Sequence, residues 1–275
     1  MAGEDVIGNR MKGYEKEFDF TIPASSRVIL RLDGNSFSKL TRSHFVAPFD
    51  DRFKDSMYRA AIAVLEYCHG KIAYVQSDEI NVLFDDRGEG NEILNNRIQK
   101  ICSLVASACA VKFSKAASAA TGEDIDAQFD CRCFAIPIDE VIGYYVWRQR
   151  DAMKNAVNSI YYWKMRETMK SKAAEARSDG VSNDEKEAIL DKEHGVKIGQ
   201  YPLHYIRGAV VYNRTILTPI EEVAPPGVIE KYKKQGQLVT RHEWFVDKAP
   251  PVFAGSGYIQ QLTGIRPAGT RPVDQ

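Results

Sequence analysis

The sequence predicts an α+β fold of the ferredoxin type, in which a split βαβ pattern forms an antiparallel sheet with helices on one face. Two observations predict it. Short apolar, β-branched runs alternate with longer segments of helical periodicity, in the order strand, helix, strand, strand, helix, strand. Only a tight turn at Ser77-Asp78 separates the second strand from the third. We expect the other face of this sheet to be open for a substrate.

The individual elements follow from these patterns. The first helix is expected to be capped by Asp50 or Asp51 and to end near residue 67, because its apolar residues share one helical face and Gly70 is a stop signal. The second helix is expected from about 91 to 113. Strands are expected at 28–32, 71–76, 79–84 and 129–136.

Three carboxylates stand at the ends of these strands. Asp33 closes the first strand, while Asp78 and Glu79 lie between the second and the third. A buried carboxylate is costly unless a cation or a hydrogen-bond donor satisfies it. Two carboxylates at one sheet edge are natural ligands for Mg²⁺, and nucleotide phosphates would complete a two-metal transfer site. The alternative for Asp33-Gly34 is an ordinary turn, since Asp-Gly is a common turn pair.

Charge and composition set looser limits. Lys plus Arg equals Asp plus Glu at 37 each, so RNA binding would need a local basic patch. The best candidate is the stretch 148–177, for which a solvated helix face is the alternative. Its basic residues are Arg148, Arg150, Lys154, Lys164, Arg166, Lys170, Lys172 and Arg177.

The five cysteines show no zinc-ligand spacing, and we expect them to be small buried side chains in a reducing cytosol. We see no apolar run of membrane-spanning length and no signal peptide, so a soluble, cytoplasmic protein without membrane contact is expected.

The second half of the chain is less regular. Long helices are expected over about 139–176, and Ser182 followed by Glu185 is typical of a helix start. Strands are expected near 205–215 and 240–252, with a chain break at Pro225-Pro226 and a loose tail over 264–275. We therefore divide the chain into residues 1–138, carrying the carboxylates, and a helical and mixed elaboration, 139–275, that packs on them as one unit.

Five motifs in register resemble the tRNA-histidine guanylyltransferase superfamily over about residues 27–215. They are Arg31-Leu32-Asp33-Gly34-Asn35-Ser36-Phe37, Ala47-Pro48-Phe49-Asp50, Gln76-Ser77-Asp78-Glu79, Asp130-Cys131-Arg132 and Trp147-Arg148-Gln149-Arg150-Asp151. The resemblance implies a catalytic domain like the palm of polymerases. It also implies addition of nucleotides to the 5′ end of tRNA in the 3′–5′ direction, with ATP and GTP as substrates, two Mg²⁺ ions and a homotetramer.

One motif departs from the eukaryotic members of this superfamily. Where they carry His-Ile-Asn-Asn, this chain has Met153-Lys154-Asn155-Ala156. This resembles the bacterial, archaeal and phage guanylyltransferase-like branch, which implies template-dependent repair of truncated tRNA. Guanylate addition to histidine tRNA and a nucleotide cyclase-like palm enzyme remain alternatives, as does an inactive RNA-binding protein on the same scaffold.

The resemblance also assigns roles to residues. Asp33, Asp78 and Glu79 would be catalytic, and Asp33, Asp78 and the Gly34 carbonyl would hold the metals, with Glu79 a ligand or a supporting group. Nucleotide contacts are implied for Asn35, Ser36, Phe37, Asp50, Ser77, Arg97 and Lys100. Contacts to the RNA 5′ phosphate are implied for Arg132, Arg150, Lys154, Asn155 and Arg207.

Several of these residues have simpler alternatives. Asp50 is also a suitable helix N-cap, and Arg97 and Lys100 are also suitable for a solvated helix face. Arg207, before Gly208, is equally compatible with a salt bridge at a strand end. The aromatic pairs around Tyr145 and Tyr161 favour helix core over a base-stacking platform.

Overall fold

The computed structural model describes residues 5–23, 27–84, 93–232 and 236–265 of the 275-residue chain. Its centre is a six-stranded sheet in which every neighbouring pair is antiparallel and the order is β4-β1-β3-β2-β5-β6. The strands are β1 (Arg27–Gly34), β2 (Ile72–Gln76), β3 (Glu79–Phe84), β4 (Phe129–Ile136), β5 (Ala209–Pro219) and β6 (Leu238–Asp247). The order of the first four confirms the split βαβ arrangement.

Of the two helices predicted in the first half, one has the expected bounds and the other is shifted, while the helices over 6–17 and 37–44 were not predicted. The helices are α1 (Val6–Glu17), α2 (Phe37–His44), α3 (Asp51–Cys68), α4 (Ile98–Thr121), α5 (Val141–Arg166), α6 (Ser171–Ser178), α7 (Asn183–His194), α8 (Leu203–Arg207), α9 (Pro226–Tyr232) and α10 (Tyr258–Thr263). The second predicted helix, α4, starts later because Leu94 and Asn95 take left-handed φ angles of 50° and 56°. It also ends later, at Gly122, because the Ala- and Ser-rich segment before that glycine favours helix.

Helices α3 and α4 cover one face of the sheet. Residues Val28, Leu30 and Leu32 of β1 are buried in this layer. At the end of β1 that carries Asp33, Phe37 packs with its ring centroid 5.1 Å from that of Phe113. This aromatic contact fixes the start of α2 against the core next to the predicted metal site.

The expectation of an open second face is wrong, because α5 and the C-terminal segment cover it. Tyr145 of α5 and Phe253 are buried against Ile29, Tyr74 and Leu83 of the sheet. The strands that carry these residues, β1, β2 and β3, are apolar on both faces, and a sheet of that kind needs a covering layer on each face. The uninterrupted apolar runs were the signal for this second layer.

Helices α5, α6 and α7 form a small bundle beyond the sheet. Tyr161 and Ala174 are buried in its core, which confirms that the aromatic residues around Tyr145 and Tyr161 belong mainly to core. Helix α7 starts with the predicted capping box, in which the Ser182 side chain accepts from the Glu185 backbone and Glu185 accepts from the Ser182 backbone.

The C-terminal strands differ from the predictions by a few residues. The segment expected as one strand from 205 divides into the end of α8 and β5, and β6 starts and ends earlier than 240–252. Pro226 begins α9 rather than breaking the chain, since proline is favoured in the first turn of a helix. Of the predicted tail, only 264 and 265 lie within the described residues.

Helix α4 contradicts the expectation that no apolar segment is long enough to span a membrane. Within the described residues it is the one helix long and apolar enough, by length and composition, to cross a membrane. Its buried residues pack into the core, and 28% of its most apolar window is buried.

The cysteines follow the prediction only in part. Cys68 and Cys109 are buried, whereas Cys102, Cys131 and Cys133 are partly exposed between α4 and β4. Hydrogen bonds from Cys131 and Cys133 lower the pKa of the Cys102 thiol.

Both the backbone conformation and the close packing at Gly208, at the junction of α8 and β5, require a glycine. Its φ is 73° and its ψ −175°, a region open mainly to glycine, and a Cβ there would lie 2.6 Å from the Tyr74 ring. Gly208→Ala should therefore lower the free energy of unfolding by at least about 2 kcal/mol, measured by urea denaturation. Gly199→Ala is the control, because a Cβ there meets nothing within 4 Å. Equal stabilities for the two variants would contradict this account.

Candidate active site

The predicted carboxylates meet at one edge of the sheet. Asp33, near the end of β1, lies opposite Glu79 on β3 and opposite Asp130 on β4. Asp78 occupies the turn between β2 and β3, and its carbonyl accepts a 3.2 Å hydrogen bond from the Gly34 amide. The hairpin turn and the end of β1 are therefore joined through backbone as well as through sheet register.

Carboxylate crowding is visible in the pKa values. Burial raises the pKa of Asp33, and the charges of Asp78, Glu79 and Asp130 raise it further. Burial also raises the pKa of Asp78, while the nearby Lys54 charge opposes that shift. A divalent cation would relieve this repulsion, so the oxygen donors present suit Mg²⁺.

The protein side chains supply only part of a metal's coordination shell. Within the described residues, no group of three or more His, Cys, Asp or Glu side chains is placed to hold a metal ion. Asp33, Asp78 and the Gly34 carbonyl would thus need oxygen ligands from substrate phosphates. That is the usual arrangement for Mg²⁺ at phosphoryl-transfer sites.

Glu79 is held by donors on both of its oxygens. Oε1 accepts from Gln76 (2.9 Å), Asn81 (2.7 Å) and Arg148 Nε (2.9 Å). Oε2 accepts from Arg148 Nη2 at 2.7 Å, and Arg148 also contacts Asp151 at 3.0 Å. Of the two roles left open for Glu79, ligand or supporting group, this bonding favours the supporting one.

The Trp147-Arg148-Gln149 motif has a structural role that the sequence did not reveal. Arg148 is buried, and its guanidinium lies 4.5 Å from the Trp147 ring centroid. Gln149 donates to the Pro251 carbonyl (2.9 Å) and accepts from the Phe253 amide (2.7 Å). Arg148 therefore does not belong to an RNA-binding patch, a correction to the basic stretch proposed above.

The loop after Asp33 leads directly into α2. Ser36 is the residue before α2 and has a left-handed φ of 61°. The Asn35 amide already donates to the Gln128 carbonyl at 2.8 Å. Of the three amides expected to cradle phosphates, those of Ser36 and Phe37 lie at the helix N-terminus, where the helix dipole favours an anion.

A cavity of about 400 Å³ lies beside the turn at Ser77, between α2, α3, α5 and α8. Aromatic rings form much of its wall, and the stacked rings of Phe49 and Tyr205 have their centroids 4.5 Å apart. Its other aromatic wall residues are Phe45, Phe53, Tyr162 and Trp163. Three predicted nucleotide or RNA contacts also line it: Asp50, Ser77 and Asn155.

Asp50 is the N-cap of α3, as one alternative predicted. Its carboxylate accepts from the backbone amides of Val46 and Arg52, each at 2.8 Å, and from the Arg52 side chain. Partial burial opposes the shift, but these bonds together lower the pKa of Asp50 to about 2. A nucleotide contact by Asp50 stays a prediction.

Arg97 and Lys100 do not reach this site within one chain. Arg97 pairs with Asp19 at 2.8 Å and precedes the first residue of α4. It lies sixteen residues, or about 24 Å of helix, before Phe113, which packs beside the site. Their predicted nucleotide contacts therefore do not lie at the Asp33 edge of the same chain, and they stay predictions.

The candidates for the RNA 5′ phosphate are distributed around the site. Arg132 is exposed on β4, on the same face as Asp33, and lies 3.8 Å from Asp130. Arg150 and Lys154 are exposed on α5, and Arg207 is half-buried at the end of α8. Their roles remain predictions.

A split βαβ sheet with two carboxylates at one edge defines a palm-type fold of the nucleotidyltransferase class. Two family models match this chain, "tRNAHis guanylyltransferase" over residues 8–137 and "Thg1 C terminal domain" over 139–247. The chain belongs to the tRNA-histidine guanylyltransferase family, whose members are nucleotidyltransferases. This confirms the family that the motifs indicated.

Relatives and solved structures agree with this assignment. A probable tRNA(His) guanylyltransferase of Dictyostelium discoideum is 29% identical, covering 82% of this chain and 90% of its own. An uncharacterized protein, R259, of Acanthamoeba polyphaga mimivirus is 30% identical over 56% of this chain and 62% of its own. A bacterial guanylyltransferase-like protein, solved in complex with ATP, superposes with a TM-score of 0.76 at 24% identity, covering 94% of this chain and all of its own. That likeness shows the shared fold.

Removing the charged side chain of Arg148 from its buried ion pair with Glu79 should greatly lower the stability of the protein. Arg148→Met leaves the carboxylate buried without its guanidinium partner, so the free energy of unfolding should fall by about 3–5 kcal/mol in urea denaturation. The exposed neighbour serves as control, and Arg150→Met should change stability by no more than about 0.5 kcal/mol. Similar stabilities for both variants would argue against a structural role for Arg148.

Asp50 predicts a pH-dependent contribution to stability. Because its folded pKa is lowered to about 2, its contribution is complete above the unfolded value of about 3.9 and is lost as pH falls towards 2. Asp50→Ala should cost about 1–2 kcal/mol at pH 7 in urea denaturation, and this difference should shrink between pH 5 and pH 3. A difference that stays constant over that range would exclude the carboxylate as its source.

Proposed function

We propose that this protein is a template-dependent 3′–5′ nucleotidyltransferase that repairs the 5′ end of truncated tRNA. The observation that carries the proposal is the meeting of Asp33 and Asp78 at one sheet edge beside an aromatic-walled cavity. An edge with two carboxylates suits metal-assisted attack on a phosphate, and the neighbouring cavity has the size and lining of a small-molecule site. Family membership supplies tRNA as the substrate class.

The preference for repair over guanylate addition to histidine tRNA rests on α5. Lys154 and Asn155 belong to the segment 153–156 that replaces the His-Ile-Asn-Asn motif of eukaryotic members. Asn155 lines the cavity and Lys154 is exposed beside it. Replacing a histidine here removes a group suited to a specific base or phosphate contact.

The described residues divide the chemistry among them. The cavity wall of Phe49, Trp163 and Tyr205 can hold a purine ring. The amides at the start of α2, next to the Asp33 edge, are the proposed contacts of its phosphates. Asp33, Asp78 and the Gly34 carbonyl would hold Mg²⁺, which when bound lowers the pKa of the attacking hydroxyl and neutralises phosphate charge. Glu79 and Arg148 keep the Asp78 turn in place.

The reaction itself has two steps. A 5′-monophosphate lacks a good leaving group, so its oxygen first attacks the α-phosphate of ATP or GTP and releases pyrophosphate. The 3′-hydroxyl of the incoming nucleoside triphosphate then attacks the RNA 5′ phosphorus and releases the nucleoside monophosphate. A 5′-triphosphate makes the first step unnecessary, since pyrophosphate is then the leaving group.

The RNA end would approach over three exposed cations and one half-buried cation, Arg207. Arg132, Arg150, Lys154 and Arg207 are the proposed contacts, with Asn155 at the cavity. The homotetramer belongs to the same proposal and rests on the resemblance, whereas the cytoplasmic location is proposed from the free cysteines.

A primer-extension map of the 5′ end tests the proposal. A transfer RNA transcript lacking its first nucleotide, with a 5′ monophosphate, is incubated with Mg²⁺, ATP and all four nucleoside triphosphates. We expect template-matched growth that Asp33→Asn or Asp78→Asn lowers at least about 100-fold, because each substitution removes a metal ligand. Chelation of Mg²⁺ should abolish growth, and Asp139→Asn, an exposed carboxylate outside the site, should retain it.

Other outcomes separate the alternatives. Addition of a single guanylate only to intact histidine tRNA would replace repair by histidine-tRNA maturation. A cyclic nucleotide product without RNA growth would indicate a cyclase-like enzyme. No product on the transcript with either a 5′ monophosphate or a 5′ triphosphate, with folded protein and Mg²⁺ present, would reject the enzymatic proposal.

A further inference from the structure

Lys54 of α3 is a buried cation beside the site that no sequence motif indicated. Its side chain is 5% exposed and lies beneath the hairpin turn. Nζ donates one hydrogen bond, to the Ser77 carbonyl at 3.2 Å. Among the described residues this carbonyl is the only hydrogen-bond acceptor of a group with three N–H donors.

Lys54 also lines the cavity. Asp78 is the anion whose charge acts on it, and that carboxylate is a proposed metal ligand. The acidic cavity residue Asp50 is paired with Arg52, and Glu175 accepts from Ser171. The ammonium therefore lacks a committed anion at the point where the cavity meets the carboxylate edge.

We propose that Lys54 binds a phosphate oxygen of the nucleoside triphosphate held in the cavity, and so positions the activating nucleotide. The inference rests on the proposed function and deepens it by adding a substrate-binding residue. Phosphate fits better than a base edge, because Lys54 lies next to Ser77 and Asp78, on the metal side of the cavity.

The energetic cost of burying the Lys54 ammonium group supports a ligand-binding role for it. Taking an ammonium out of water is unfavourable unless it is paired, and burial lowers the pKa of Lys54 to about 8. A methionine of similar volume would fill the same space without that cost. Retaining a lysine there for stability alone is therefore hard to justify, whereas an anionic ligand would complete its bonding.

The test is nucleotide affinity in matched variants. Dissociation constants of ATP and GTP with Mg²⁺ are measured by calorimetry for the wild type, Lys54→Met, Lys54→Arg and Lys39→Met. Lys39 is an exposed lysine on the neighbouring α2. Lys54→Met should weaken ATP and GTP alike by about 10- to 100-fold, as expected for loss of a charge-assisted hydrogen bond. Lys54→Arg should recover part of this loss, and Lys39→Met should bind like the wild type.

Thermal unfolding without nucleotide completes the design. Lys54→Met should melt near the wild-type temperature, because removal of a buried charge offsets the loss of the hydrogen bond to Ser77. Unchanged affinity for both nucleotides or a loss confined to GTP would overturn the inference, and unchanged affinity with a lowered melting temperature would show that Lys54 only supports the turn. A wild type that binds neither nucleotide would instead reject the proposed function itself.

Discussion

The buried contact between Glu79 and Arg148 is the interaction on which the rest of the structure depends. Glu79 begins β3 at the edge that carries the site, and Arg148 comes from the helix that covers the second face of the sheet. A carboxylate in this position is tolerable only with a bidentate cationic partner. Packing of α5 and placement of the Asp78 turn are therefore set by the same pair.

The turn is held from both layers of the fold. Arg148 acts from the α5 side through Glu79, while Lys54 reaches the Ser77 carbonyl from α3 on the opposite side. Between these two supports, Asp78 lies close to Asp33, and Lys54 is the cation among the described residues whose charge acts on it. Negative charge accumulates there because the surrounding framework has already satisfied Glu79, and this makes the edge receptive to a divalent ion.

Local patterns predicted the strands, α3 and the position of Asp33 and Asp78, because each depends on the period of its own segment and on the order of the elements. The sequence did not reveal the ion-pair partner of Glu79, because Arg148 lies 69 residues away and was interpreted as part of an exposed basic helix face. Lys54 was missed because a lysine within an amphipathic helix normally faces water. Arg97 was misplaced because it lies at the end of α4 that is remote from the site, and periodicity does not reveal which end of a helix meets a sheet edge.

The two family segments meet at residue 138, but contacts across this boundary join both segments in one sheet. Glu79 and Arg148 come from opposite sides of it, and β5, from the second segment, pairs with β2 from the first. Exchange of one segment alone would therefore replace one member of the ion pair and one side of the pairing between β2 and β5. A chimera of two family members would accordingly need a compatible ion-pair partner and a compatible strand edge in both segments to fold as one unit.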